Sequence, residues 1–465
     1  MFRKDTYVHR RTQLKNRVQS GIVLLLGNVD VPWNYRDNVY HWRQDSSFLY
    51  YFGLDFQGLA GIVDVDNDTE ILFGDDVSMD DLIWMGPQVS LAENAAQIGC
   101  QKTAAFKALF SYIEEAKAQK RTIHFLPPYR AENKILLQDL LGIAPAMQTE
   151  ASSLELVKAV IAQREIKDGD EIAELKKAWN IGYDMHIHAM KSCQEGVWEQ
   201  TIAGQMEGIA LASGCDPSFP IILSQHGETL HNHKHDALLQ NGKLMLVDAG
   251  AESLMHYASD FTRTSPVGGK FSAQQKAIYE IVLAANNKAA SLIKPGLTYQ
   301  SIHFEACKVL VQGLKAVGIM KGDVDEAVAN GAHALFMPHG LGHMMGLDVH
   351  DMEDLNQHYV GYDEKTRPST QFGAASLRLG KELKEGFVLT NEPGLYFIPA
   401  LIDQWQANGT SADFINFEEL KSYRDFGGIR LEDDLLVTAA GGEYLGKRLP
   451  IEVDEVEAMI ASSKG

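Results

Sequence analysis

Alternation of apolar and polar positions sets a mixed α/β pattern over the first third of the chain. Short β-rich apolar runs at 22–26, 60–65, 70–73 and 122–126 predict strands, and the stretch 104–117 between them predicts a helix. Asp66-Asn67-Asp68 lies between two of these runs and reads as a hairpin turn. A helical segment over 154–162 then gives way to the polar stretch 164–170. From there Asp170 predicts the cap of a long helix with Ile172, Leu175, Ala178 and Ile181 on one face. This change of pattern predicts a domain boundary near residue 165, dividing 1–165 from 166–465. Helices over 201–213, 273–292 and 299–317 follow, alternating with strands over 221–224, 244–247, 387–390 and 429–437. The segment 453–461 predicts a closing helix. Strands interrupted by helical pairs predict an α+β domain whose sheet carries helices on one face.

Composition narrows the class. The chain has 465 residues, and 62 acidic against 42 basic side chains leave a formal charge of −20. That balance, with no basic stretch to offset phosphate repulsion, argues against a nucleic-acid partner. Apolar residues make up 45%, as in a folded globular protein, with no internal repeat and no low-complexity tract. The longest clean apolar run, 22–26, is far shorter than the ~20 residues of a membrane span, so no membrane role is expected. The N-terminus lacks the apolar core of a signal peptide. The four cysteines (Cys100, Cys193, Cys215, Cys307) form no CxxC pair, which fits a reducing, cytoplasmic location and argues against both a disulfide scaffold and a thiolate zinc site.

Candidate chemistry sits at the ends of the predicted strands. Asp248 closes Leu-Met-Leu-Val-Asp-Ala-Gly, and Asp260 opens the next strand after a short connection that reads as a hairpin. Glu392 lies in Val-Leu-Thr-Asn-Glu-Pro-Gly and Glu432 in Gly-Gly-Ile-Arg-Leu-Glu-Asp-Asp. A single acidic residue at a strand end is more often a solvated turn or an ion-pair partner than a ligand. Four of them, each inside a Gly- or Pro-marked turn, shift that balance, because an unpaired buried charge costs more than the ~2–7 kcal/mol of an unpaired polar group. The fifth element is the run from His339 through His343 to His350, His-Gly-Leu-Gly-His-Met-Met-Gly-Leu-Asp-Val-His. His339 and His343 have the i, i+4 spacing of a zincin helix, but the required glutamate is missing and Gly340, Gly342 and Gly346 break any helix. The glycines instead predict a tight loop that aims one imidazole at a metal and leaves the others as hydrogen-bonding groups. Two divalent cations would balance four carboxylates, with one imidazole completing the set. Without cations the carboxylates would repel and their pKa values would rise. Oxygen-rich ligation with one imidazole suits Mn²⁺, Co²⁺ or Zn²⁺, and two ions ~3.5–4 Å apart can generate a hydroxide nucleophile.

These strings resemble a known family. From about 166 to 440 the sequence is similar to the metal-dependent "pita-bread" peptidases: aminopeptidase P, prolidase and methionine aminopeptidase. Their ordered ligand set is matched by Asp248, Asp260, His343, Glu392 and Glu432. The first ~165 residues, with Arg43-Gln44-Asp45-Ser46-Ser47-Phe48-Leu49-Tyr50 and Phe52-Gly53, resemble the N-terminal domain of aminopeptidase P and eukaryotic-type prolidase. Methionine aminopeptidases lack that domain. The insertion 396–424 is most similar to the prolidase branch. Two departures stand out: the Asp248–Asp260 spacing of 12 is one longer than the family's, and Asn391 stands where an apolar residue is usual.

The resemblance implies an N-terminal α/β domain ahead of a pita-bread catalytic domain that hydrolyses Xaa-Pro bonds with two metal ions. Manganese is the first expectation, with Zn²⁺ or Co²⁺ as alternatives. Asp260 and Glu432 would bridge both ions, Asp248 would complete one, and His343 with Glu392 the other, with Glu392 also carrying the proton. His350 would hydrogen-bond the substrate carbonyl, His231 would shape the pocket, and His339 and Arg378 would bind substrate, Arg378 through a terminal carboxylate. His226, His233 and His235, clustered with His231, read as a solvated loop. Arg430 lies two residues before Glu432, hence on the same strand face, and either reaches into the site to hold a carboxylate or serves as a charge partner for Glu432 or its neighbours. Xaa-Pro aminopeptidase is the leading reading and prolidase the alternative; a pita-bread binding module is disfavoured by the full ligand set. Proline-containing peptides are the expected partners, together with further copies of the chain in a dimer or tetramer.

Overall fold

Residues 1–462 are described by the structure, a computed structural model, and fall into two units. The first comprises Met1–Arg164 with Glu353–Asn356, and the second begins at Glu165. In the first unit, β1 (Ile22–Leu26), β2 (Ala60–Asp64) and β3 (Thr69–Phe73) pair antiparallel, and the 66–68 turn closes β2 onto β3 with Asp68 at φ 46°. Strands β4 (Lys102–Ala104) and β5 (Ile123–His124) add in parallel at the edges, giving the order β4-β3-β2-β1-β5. Ile22, Leu24, Ile62 and Phe73 pack against Leu109 and Ile113 of α1 (Ala108–Ala118). The helix expected over 104–117 starts later because Ala104 is held in the sheet opposite Phe73. The strand expected over 122–126 is correspondingly short. Helix α2 (Leu154–Arg164) ends the unit.

The second unit opens on α3 (Gly169–Ser192), capped by Asp168 rather than Asp170. The Asp168 carboxylate accepts from the backbone N–H groups of Asp170 and Glu171, and Glu171 reaches back to the Asp168 N–H, a complete capping box. Together with α4 (Glu199–Ala212), α3 covers a three-stranded antiparallel sheet of β6 (Ile222–Ser224), β7 (Leu244–Asp248) and β8 (Thr262–Pro266). Met185, Ala189, Ile202 and Met206 meet Leu223, Met245 and Val247 in that core. Helices α5 (Ala273–Leu292) and α6 (Tyr299–Ala316) pack on each other. The remaining strands are β9 (Val388–Asn391), β10 (Gly394–Tyr396), β11 (Gly428–Arg430), β12 (Asp433–Thr438) and β13 (Gly441–Tyr444), and α7 (Val453–Ala461) follows them. Helix α5 also packs on β9, β10, β11 and β13.

The single strand expected over 429–437 is two. β11 pairs with β10 and β12 with β9, so Leu431 and Glu432 fall between two ribbons, and Glu432 bridges back to Thr262 of β8. Arg263 holds this junction. Its fully buried guanidinium donates to the carbonyls of Thr262 (2.9 Å) and Glu432 (2.6 Å) and pairs with Asp433 at 2.6 Å. Among the described residues no helix is long and apolar enough to cross a membrane.

Candidate active site

Strand ends deliver the carboxylates to one cavity. Asp248 ends β7 opposite Thr262, so Asp260 lies two residues ahead of β8 rather than opening it. The connection between the two aspartates pairs once more, at Glu252 and Ala258, and turns with His256 in the left-handed region (φ 64°). Glu392 follows β9, and Glu432 occupies the break between β11 and β12. The glycine-rich loop lies against β9: His343 N–H donates to Thr390 Oγ1 and Thr390 N–H to the His343 carbonyl, both at 3.0 Å. A Cβ on Gly342 would sit 2.1 Å from the Thr390 carbonyl oxygen, so a close backbone approach, not a left-handed conformation, requires glycine there.

The five residues singled out from the sequence converge. Ligand atoms of Asp260, His343 and Glu432 all lie within 4.8 Å of one another. His343 Nε2 is 3.5 Å from Asp260 Oδ2 and 3.8 Å from Glu392 Oε1. Its Nδ1 lies 3.1 Å from the Met344 carbonyl, which assigns the ring proton to Nδ1 and turns the Nε2 lone pair toward the carboxylates. Asp248 Oδ2 accepts from Arg430 Nη2 at 2.6 Å and Glu432 Oε2 from Thr262 Oγ1 at 2.6 Å. Asp248 Oδ1 and Asp260 Oδ1 are buried with no hydrogen-bond partner.

Electrostatics show what such a cluster lacks. Burial first, then the neighbouring carboxylates, pushes Asp260 and Glu432 well above the usual range, and burial raises Glu392 to about 7 despite Arg430. Three buried acids and a partly buried fourth, two of them with an orphaned oxygen, together with one imidazole lone pair, are stable as a charged set only around cations, and the donor set fits divalent ions. Burial holds His339 down to about 3, His350 to about 4 and His343 well below its usual value, so all three imidazoles are neutral at pH 7.

Around this cluster lies a cavity of about 530 Å³ with an apolar wall that includes Phe219, Pro220, Leu230 and Val349. His231, His339, His350, Arg378 and Arg430 also line it. The His350 ring stacks on His343 with centroids 3.8 Å apart. His233, expected in a solvated loop, is exposed and borders the cavity. His235 Nε2 lies 2.9 Å from the Ile221 carbonyl, and His226 pairs with Glu228 at 3.1 Å. Of the two readings of Arg430, the pairing one acquires a specific partner. β11 ends at this residue, and its side chain binds Asp248, Thr262 Oγ1 (3.0 Å) and Tyr396 Oη (2.7 Å) rather than Glu432. Tyr396, Thr262 and Thr390 were not anticipated. The Tyr396 hydroxyl accepts from Arg430 and donates to His339 Nε2 at 3.0 Å, while His339 Nδ1 faces the Gly340 carbonyl at 2.7 Å.

Comparison with known proteins agrees with this geometry. Residues 173–439 match the model of metallopeptidase family M24, and residues 7–124 that of the aminopeptidase P N-terminal domain. The chain is 31% identical to the Xaa-Pro dipeptidase of Homo sapiens, over 96% of this chain and 90% of that one. It is 29% identical to the Xaa-Pro aminopeptidase of Escherichia coli, over 99% and 98% of the two chains. A solved structure of Escherichia coli aminopeptidase P with the inhibitor Pro-Leu superposes with a TM-score of 0.80 at 26% identity, covering 100% of this chain and 99% of that one. The zinc-substituted enzyme in complex with product gives 0.79 at 26% identity, with 99% of each chain covered. The α+β architecture, with its aminopeptidase P-type N-terminal domain and its catalytic domain, is therefore that of aminopeptidase P, and the chain belongs to metallopeptidase family M24.

Proposed function

We propose that the protein is a dinuclear metal-dependent exopeptidase that releases the residue ahead of proline from the N-terminus of peptides. The observation that carries this is the convergence of Asp260, His343 and Glu432, flanked by Asp248 and Glu392, with two carboxylate oxygens buried and unpartnered. Asp260 and Glu432 would be shared between the two ions. Asp248 would complete one site, and His343 with Glu392 the other. Manganese suits this oxygen-rich set best, with zinc or cobalt as alternatives. When bound, the ions supply an acidified water as nucleophile and polarise the scissile carbonyl.

The chain's own residues do the rest. Glu392, on the cavity wall, takes the proton from the attacking water and returns it to the departing proline nitrogen. His350, kept neutral by burial, offers an N–H donor to the substrate carbonyl and the oxyanion it becomes, while His339 lines the substrate cavity. Tyr396 fixes the His339 ring, and Arg430 holds Asp248 in place from a fully desolvated position. His231 narrows the entrance. A prolyl bond has no N–H and a fixed φ, so it is selected by an apolar wall and carbonyl donors, not by backbone N–H recognition. Phe219, Pro220, Leu230 and Val349 provide such a wall.

A prolidase reading is supported by the human relative's name and by Arg378, whose half-buried guanidinium lines the cavity and suits the carboxylate of a dipeptide. Hydrolysis of Gly-Pro and of a longer Xaa-Pro-Xaa peptide by Mn²⁺-loaded and chelator-treated protein separates the two. Release of the first residue from the longer peptide is expected. Cleavage of Gly-Pro alone would establish the dipeptidase. No cleavage of either by the metal-loaded protein would overturn both.

A further inference from the structure

A second cluster of metal-ligating side chains lies apart from the five residues above. His303 and Cys307 sit one turn apart on the same face of α6, and His333 comes from the short turn Ala332–Leu335 that packs against that helix. The ligand atoms of the three lie within 4.8 Å of one another, and each residue is at most 1% exposed. Cys307 Sγ is 3.6 Å from His303 Nε2. A thiol–imidazole hydrogen bond accounts for that pair but leaves the rest unexplained. Both ring nitrogens of His333, and Nδ1 of His303, are buried with no hydrogen-bond partner. Buried polar atoms are almost always satisfied, and an imidazole with neither nitrogen paired is a strong exception. Among ligands that could sit here, a metal ion takes a lone pair from each of the three residues at once.

We propose that His303, Cys307 and His333 form a binding site for one thiophilic metal ion, with copper(I) as the best match. A thiolate with two imidazoles is a soft donor set that selects copper(I) or zinc over manganese, magnesium or calcium. Charge and coordination number decide between the two. Cu⁺ with one thiolate is neutral, so a fully buried site carries no uncompensated charge, whereas Zn²⁺ would leave a net positive charge and call for a fourth ligand. Binding forms one Cu–S and two Cu–N bonds and releases the thiol proton to solvent, with no change of oxidation state. The proposal does not rest on the peptidase reading, because the two clusters share no residue.

The test is anaerobic titration of the full-length protein with Cu⁺ against a chromogenic chelator, with X-ray absorption at the copper edge. Wild type is expected to retain one equivalent, with one sulfur and two imidazole neighbours. Cys307→Ser and His333→Phe should each weaken binding at least tenfold, and Asp260→Asn should leave it unchanged. His333→Phe keeps an aromatic ring in the buried position, so it decides the matter should Cys307→Ser fail to fold, as judged by circular dichroism. Failure of wild type to compete for copper, a copper environment without sulfur, or equal binding by wild type and His333→Phe would each overturn the site. Absence of peptidase activity in manganese-loaded wild type, with copper binding intact, would count against the active-site reading and not against this one.

Discussion

Lys167 and Asp351 form an ion pair of 2.9 Å in which both side chains are 1% exposed, and replacing Lys167 with methionine breaks it. Lys167 sits one residue before the cap of α3, and its N–H donates to the Gly386 carbonyl at 2.9 Å, so its backbone is fixed independently of the side chain. Asp351 immediately follows His350, and its N–H donates to the Met344 carbonyl at 3.0 Å, closing the loop that carries both His343 and His350. Removing one partner of a buried pair leaves an uncompensated charge, which costs about 3–5 kcal/mol. For a unit of this size that lowers the thermal inactivation midpoint by about 5–10 °C. A Lys167→Met/Asp351→Asn double variant keeps an acceptor in the loop with no charge to bury, and most of the lost stability should return. Activity should recover less than stability, because the tether that positions His350 is still missing and displacements of about 1 Å can cost a hundredfold in rate. Thermal inactivation and Xaa-Pro hydrolysis of wild type, single and double variants give the answer. A single variant destabilised by less than about 1 kcal/mol, or a double variant no more stable than the single, would refute the reasoning.

Asp260→Asn removes one charge from the carboxylate set while preserving its shape. Metal content measured after dialysis should drop below that of wild type, and turnover should fall about a thousandfold or more, equivalent to about 4 kcal/mol of barrier. In the first unit, burial raises the Asp64 pKa, but Arg121 and the Tyr112 hydroxyl (2.5 Å) outweigh it and hold the carboxyl at about 2. Because the folded value is below the unfolded one of about 3.9, the pairing stabilises above roughly pH 4 and is lost as the pH falls through about 2; allowing for solvent screening it contributes about 1–2 kcal/mol. The stability difference between wild type and Asp64→Asn in urea should therefore vanish toward pH 2, and a difference that grows on acidification would reverse the sign of the argument.

What the sequence made legible, and what it did not, follows from how far each signal reaches along the chain. The apolar run ending in Asp248, the helix over 273–292 and the closing helix over 453–461 are local patterns, and all three stand as read. Elements whose limits depend on distant partners shift. Ala104 is drawn into a strand by Phe73, and Glu432 becomes a junction because β11 and β12 answer to different neighbours. Thr-Arg-Thr-Ser-Pro of β8 has no apolar periodicity at all, yet every residue is buried, since Arg263 satisfies backbone carbonyls and Asp433 in place of water. Acidic residues in turn motifs were enough to nominate four of the five residues that converge, and the family resemblance singled out His343 among the three histidines of the loop. The groups that orient them were hidden, because Thr262, Thr390 and Tyr396 are common residue types whose importance lies wholly in contacts across the fold. Arg430 reaches Asp248 over 182 positions and Tyr396 reaches His339 over 57. A buried acid announces itself in sequence because its burial is costly. A hydroxyl that makes this burial tolerable carries little cost of its own, and only the assembled structure can show which hydroxyls do so.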